Sequence, residues 1–551
     1  MSTKETHTNK TILRIIIAGV VLLLAAGVFC GAAAAKTWEV GSADELNYAI
    51  NNAVDKDEIK FTDNITANIV FKRNVNLTLN LNGYDLKGKA PKTSVINVSW
   101  GGSAITITGD GTITGEGGIF IEGSTVILES GTIKGNSSYA GSGVYVDGGG
   151  TFTMTNGTIK DNSAYGFGGG GVYVFNGRFN MSGGTIAGNE ANGTQDIGNG
   201  GGVYVYGGLF YMSGGEIKNN KAARHGGGVY VGGGTFEMSG GTISGNTACI
   251  DGGGVYVAGG GSFTMSGGQI TENIVLKASS SGGGVFVWKN GTFTMSGTAQ
   301  ITKNRSTGYG GGVMVCTGGK FTLSDSGVIG SANTEGAANT AAYGAGVFVE
   351  NGDFTMTGGT IGYNHASAYF GGVSIYNDDT TTNHTFDMSG GVITKNSSEM
   401  DPSALTGAQG VAIGCSDDAR EKTLFKMSGS ASIPASNTIY LANGLYINVT
   451  GPFTSAEAGA KSLLFDEQYP YGRTVAVVSG ADATSILPHL GLSSLYESEE
   501  YELVVDSSDP TIIRAAGKVK YTVTFNSNGG TADPSQKVTK GGKAVKPDDP
   551  T

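Results

Sequence analysis

Residues 226–246 read GGGVYVGGGTFEMSGGTISGN, and this stretch recurs with small changes along the middle of the chain. It holds three alternating segments, Val229–Val231, Thr235–Met238 and Thr242–Ser244, separated by glycine-rich corners. Apolar–polar alternation is the period of a half-buried strand, and nothing in the unit has helical period. The first valine of the GVxV element falls at Val144, Val172, Val203, Val229, Val255, Val285, Val313, Val347, Val373 and Val411. The FxM element follows at Phe152, Phe179, Phe210, Phe236, Phe263, Phe293, Phe321, Phe354, Phe386 and Phe425, with Leu323 as the one exception at the methionine position. An isoleucine comes next, from Ile159 to Ile433. In most units an asparagine follows closely: Asn162, Asn189, Asn219, Asn246, Asn273, Asn304, Asn364 and Asn396.

Three four-residue strands with three corners make about one turn of a parallel β-helix. One turn cannot stand alone. It offers about four inward side chains at roughly 1.5–3 kcal/mol each, against roughly 1–2 kcal/mol of backbone entropy per ordered residue. Stacking is therefore obligatory. The reading is an all-β, right-handed parallel β-helix of about twelve coils over residues 129–450. Composition agrees: glycine supplies 96 of 551 residues, and 15% of residues are charged. A helix-rich enzyme fold does not tolerate so much glycine, and long disorder needs more charge and fewer aromatics.

Parity assigns the faces. Phe and Met in TFTM share the inner face. The two valines of GVYV point in and the residue between them points out. That places Tyr145, Tyr173, Tyr204, Tyr230, Tyr256, Phe286 and Phe348 in an outward stripe, a candidate stacking platform for sugars. The same rings also suit stacked strands without any ligand. The asparagine after the isoleucine suits a left-handed corner, with its amide bonded to the asparagine of the next coil.

Up to Val347 almost all length variation lies between the asparagine and the next valine, so this corner is the loop-bearing edge. It carries Glu190, Asp196, Arg224, His225, Asp251, Lys277 and His365. Arg224, His225 and Asp251 are the loop-edge candidates, because His225 and Asp251 fall at one corner of adjacent coils. No carboxylates recur at one register, so the residues name no catalytic group. Neither a CxxC nor a His/Cys pair has zinc spacing, and no metal or cofactor is expected. Cys249, Cys316 and Cys415 sit too far apart for disulfides and are expected to be free. Twelve N-x-S/T sequons follow the leader, Asn136 among them.

Residues 1–35 have the order of a secretory signal: a basic start at Lys4, Lys10 and Arg14, an apolar run from Ile15, and Ala32–Ala35. An uncleaved anchor is the alternative. Cleavage near Ala35 takes the net charge from −11 to −13, which argues against nucleic acid and anionic membrane faces. Residues 36–128 read as a cap and irregular first coils. Ser42–Asn52 is a short amphipathic capping helix, with Ser42 as N-cap and Glu45 three residues on. Residues 436–450 read as the last coil, and 451–515 as a small β-rich cap.

The repeat resembles the GG-A-I and F-x-x-N repeats of the polymorphic outer-membrane protein family, and more broadly the pectin-lyase-like right-handed β-helix. The isoleucine before x-x-Asn departs from that family's phenylalanine. Residues 521–549, YTVTFNSNGGTADPSQKVTKGGKAVKPDD, resemble the first half of a Listeria–Bacteroides (internalin-type) surface repeat. The family's Gly-Tyr-x-Phe-x-Gly-Trp segment does not follow. Both resemblances imply a secreted or cell-surface protein. The expected role is adhesin-like and non-catalytic: a monomer that binds glycans or surface polymers. The alternatives are a polysaccharide lyase or glycoside hydrolase, and a passive scaffold.

Overall fold

The computed structural model describes residues 34–544 apart from 90–92, 100, 195–196, 334–335, 400–409, 443, 467–469, 495–500, 519, 525–534 and 540–542. Residues 1–33 of the leader and Asp196 lie outside the described residues.

Each repeat unit forms one coil. In the unit quoted above the strands are Val229–Gly232, Thr235–Met238 and Thr242–Ser244. Each pairs in parallel with its counterpart in the next coil, Val229 opposite Val255, Phe236 opposite Phe263 and Ile243 opposite Ile270. Three parallel sheets therefore run the length of the rod. Inside it, Phe210, Phe236 and Phe263 stack at 4.6 Å between ring centroids and within 5° of parallel. The paired valines and the isoleucines are fully buried.

The rod has about 15 turns, more than the twelve read from the repeat. Flanking coils lack the motif but keep the register. Thr37–Val40, Glu58–Phe61, Asn76–Asn80, Ala104–Thr108 and Thr125–Leu128 stack in turn beneath Thr151–Met154. Nor is 436–450 the last coil. Thr474–Val478 pairs in parallel with Ile447–Phe453, and Leu490–Leu492 with Gly459–Phe465. Ile512–Gly517 then pairs antiparallel with both Thr474–Val478 and Tyr501–Val505, so an antiparallel pair covers that edge. Lys520–Thr524 and Ser535–Thr539 form a separate antiparallel pair. At the other end, helix α1 (Ala43–Asn52) buries Leu46, Ala49 and Ile50. Ser42 Oγ accepts from the Glu45 N–H and Glu45 accepts from the Gly41 N–H, while Arg73 donates to the carbonyls of Ile50 and Ala53.

The segment after the asparagine, read as loop, contains a short fourth strand. Ser137–Ala140, Ser163–Gly168, Glu190–Ala191, Lys221–Ala222, Thr247–Ala248 and Ile274–Val275 form one small parallel sheet. Thr340–Tyr343, His365–Tyr369 and Ser397–Ser398 form another. Buried alanines, such as Ala191, Ala222 and Ala248, let this side lie close to the core.

A buried ladder joins the coils at the corner before this fourth side. It runs through Asn136, Asn162, Asn189, Asn220, Asn246, Asn273, Asn304, Asn339, Asn364, Asn396 and Asn437. Each amide before the last donates to the next asparagine's Oδ1. In most coils it also donates to an isoleucine carbonyl of the preceding coil, as Asn246 does to Ile217. Asn220 is the ladder member, not Asn219. The left-handed residue is the one before the ladder asparagine: Asp161 (φ 54°), Asn219 (55°), Glu272 (60°) and Lys303 (56°). The extra turn of backbone there carries the amide inward. Because Asn136, Asn304 and Asn396 are buried in the ladder, their sequons are closed to glycosylation in the folded chain.

Asn246→Ala removes the acceptor of the Asn220 N–H, one of the two acceptors of the Asn220 amide and the side-chain donor to the Ile217 carbonyl. The expected loss is about 3–5 kcal/mol, measured by urea unfolding. Asn219→Gly, at an exposed left-handed position, is expected to stay within about 0.5 kcal/mol of the parent.

Candidate functional site: an aromatic groove and its hollow

The first strand of each coil carries an outward side chain between its two inward residues. Phe120, Tyr145, Tyr173, Tyr204, Tyr230, Tyr256, Phe286, Met314 and Phe348 follow one another in register. The stripe is continuous, with Tyr230–Tyr256 and Tyr256–Phe286 stacked at 5.2 and 5.0 Å. It does not present open ring faces. Tyr173, Tyr204, Tyr256, Phe286 and Phe348 are 5–8% exposed, and Tyr145 and Tyr230 are half-buried. The rings lie along the rod and cover one another. The corner backbone runs against their bases: a Cβ added at Gly252 would stand 2.8 Å from the Tyr256 Cβ. Burial raises the phenol pKa values of Tyr173, Tyr204 and Tyr256.

The loop-edge residues form the wall beside this stripe. His225 lies with its ring 4.5 Å from that of Tyr256, and its Nδ1 is 3.6 Å from Asp251 Oδ2. That Nδ1 has no hydrogen-bond partner. Asp251 Oδ1 accepts from the Ser281 N–H. Burial, with Arg224 nearby, depresses the His225 pKa to about 4, and burial raises that of Asp251. The imidazole is thus neutral at pH 7.

Three residues before the first valine, successive coils from Val144 to Val373 turn through a left-handed residue. Gly141, Gly169, Gly200, Gly226, Gly252, Gly282, Gly310 and Gly344 hold φ between 54° and 67°. At the ninth such corner the residue is Phe370, at φ 64°. A bulky side chain there costs roughly 1–2 kcal/mol. The same coil has lost its outward aromatic, because Ser374 replaces it. At Gly344 an added Cβ would meet the Phe348 Cδ2 at 3.0 Å, and Ser374 has no ring to make that contact with Phe370. The ring has moved from the strand to the corner.

The consequence is a hollow. The next outward position is Ala412, and the stripe resumes at Tyr440. Over this two-coil gap lies a cavity of about 530 Å³, with Tyr309, Tyr343 and Phe370 on the wall side and Glu350 and Tyr376 on the other. Phe370 stacks toward Tyr440 at 6.2 Å. Partial burial, and then the Asp378 charge, raise the Glu350 pKa. Cys316 and Cys415 form no disulfide. Burial pushes Cys316 up to about 12 and raises Cys415, so both are poor nucleophiles. Among the described residues no group of three His, Cys, Asp or Glu could hold a metal ion, and no helix is long and apolar enough to cross a membrane.

Parity located the stripe but missed the hollow. Its signal was two breaks in the repeat, Phe370 where glycine recurs and Ser374 where an aromatic recurs.

No protein-family model matches the chain, and no curated protein matches it. Among solved structures, a PL6 family alginate lyase, AlyGC, aligns over 80% of this chain and 89% of its own. The identity is 8% and the TM-score 0.16. An arginine-to-alanine mutant of the same lyase aligns over 78% and 88%, also at TM-score 0.16.

The buried His225 makes stability depend on pH. Its folded pKa lies near 4 against an ordinary 6.5, so the unfolded chain takes up the proton first. Stability is complete above pH 6.5 and falls as pH drops toward 4, by up to about 3 kcal/mol. Asp251 offsets part of this, because its raised pKa makes the folded state take up a proton first. His225→Gln is expected to flatten the slope of unfolding free energy between pH 6.5 and 4.

Proposed function

We propose that this is a secreted, surface-displayed β-helix protein that binds glycan without cleaving it, holding a saccharide segment in the hollow between Phe348 and Tyr440. The Phe370–Ser374 exchange carries the reading. A left-handed phenylalanine is a strained residue, and strain of this kind persists where function uses it. Here it supplies a ring to a hollow and removes one from the floor. A sugar ring has an apolar C–H face and a rim of hydroxyls. The hollow offers aromatic faces together with the Ser374 hydroxyl, tyrosine hydroxyls and one carboxylate. Its volume falls in the range of small-ligand sites, about 300–1,000 Å³.

The same lining favours binding over hydrolysis. Glycoside hydrolysis uses two carboxyl groups across the scissile bond. Glu350 is the one carboxylate among the described lining residues.

The test is a glycan array probed with the full chain, with bound glycans assayed for new reducing or unsaturated ends. Saturable binding without new ends is expected. Tyr376→Ser should weaken it about tenfold. Phe370→Gly should weaken binding by a similar factor yet leave stability within about 1 kcal/mol of the parent, because relief of the left-handed strain offsets the lost ring packing. Binding unmoved by both substitutions would remove the hollow as the site.

A further inference from the structure

The aromatic stripe has a second open end. At its start lies a hollow of about 350 Å³, with Phe120 and Tyr145 from the stripe and Tyr139 and Tyr165 from the corner wall. Tyr139 and Tyr165 are 50% and 56% exposed and meet edge to face at 6.1 Å. It opens there because the fourth-side sheet begins at Ser137–Ala140. Among the described residues, earlier coils carry no such strand beside the stripe. The hydroxyls of Ser94, Ser137 and Ser138 line it, with the carboxylate of Glu116.

The two hollows share a plan. Each lies on the outer face of the first sheet, against the corner wall. Each combines stripe or wall aromatics with hydroxyls and one glutamate, and neither has lysine or arginine among its described lining residues. Between them the groove is filled by the protein's own rings. Eight registered steps separate Tyr145 from Ser374, which is roughly 38 Å along the rod.

We infer that the N-terminal hollow is a second saccharide site and that the two together hold one extended polysaccharide lying along the groove. This rests on the glycan reading of the C-terminal hollow. The lining carboxylates select a chain that is uncharged or amine-bearing and disfavour polyuronates. Gripping one chain at two points makes the second contact intramolecular. Affinity then depends on whether the chain can span the gap, not on any new contact.

The experiment is calorimetric titration of the full chain with length-fractionated glucosamine oligosaccharides, neutral β-glucan oligosaccharides and polygalacturonate. Short oligosaccharides are expected to bind at two sites per chain. Fractions long enough to span roughly 38 Å should bind at one per chain, at least about 100-fold more tightly. Tyr139→Ser/Tyr165→Ser, both at exposed rings, should abolish that step and reduce short-oligosaccharide stoichiometry from two to one. Retained far-UV circular dichroism would show that the variant folds, and Tyr165→Ser alone should give a smaller loss. One site for short oligosaccharides in the parent, or no step with length, overturns the two-site inference and leaves the C-terminal hollow standing. Failure of every short oligosaccharide to bind overturns the glycan reading itself. Polygalacturonate binding as tightly as the glucosamine series overturns the charge selection.

Discussion

The rod depends on a row of buried asparagine amides. A coil of three short strands has too little apolar surface to hold its own shape, so its neighbours must set its register. Phenylalanine stacks and valine ladders supply most of the burial, but an apolar contact constrains register weakly. The asparagine ladder is directional. Asn246 Oδ1 accepts from both the backbone and the side chain of Asn220, while its own amide reaches Asn273 Oδ1 and the Ile217 carbonyl. A shifted coil would leave several buried polar groups unpaired at about 1–3 kcal/mol each. With one corner held, the other corners can vary in length without disturbing the sheets.

That division of labour explains where the open sites lie. On one side of the ladder the interior phenylalanines repeat with little change. On the other, the fourth-side strand and the turn into the next valine differ from coil to coil. The stripe fills the groove wherever the corner is glycine and the outward residue is large. It leaves space at its start, where the corner wall begins with Tyr139 beside Tyr145, and where the glycine–aromatic pair is replaced by Phe370 and Ser374. The two hollows are thus local departures from a regular packing rule, on a scaffold rigid enough to hold aromatic walls in place.

His225 and Asp251 show the opposite case. Their corner places them 3.6 Å apart in the filled part of the groove. Burial keeps the imidazole neutral, and the ring packs on Tyr256. The pair is mostly buried in the groove wall and acts on stability through its titration.

The sequence by itself determined the architecture. Its repeat length, strand alternation and glycine corners allow only stacked coils, and parity sorted the inward Phe, Met, Val and Ile from the outward tyrosines. Capping chemistry at Ser42 and Glu45 was also legible, because it is local. The coils outside the repeat were not fully legible, since their register comes from pairing with neighbours and not from a motif. The ladder was legible in kind but not in detail. Asn219 and Asn220 are adjacent, and only the path of the corner backbone decides which one turns inward. The burial of the stripe and the position of the hollows belonged to the tertiary structure alone. Whether an outward ring meets solvent depends on the corner that passes its base and on the rings one coil away, and those rings lie 25 or more positions distant in the chain.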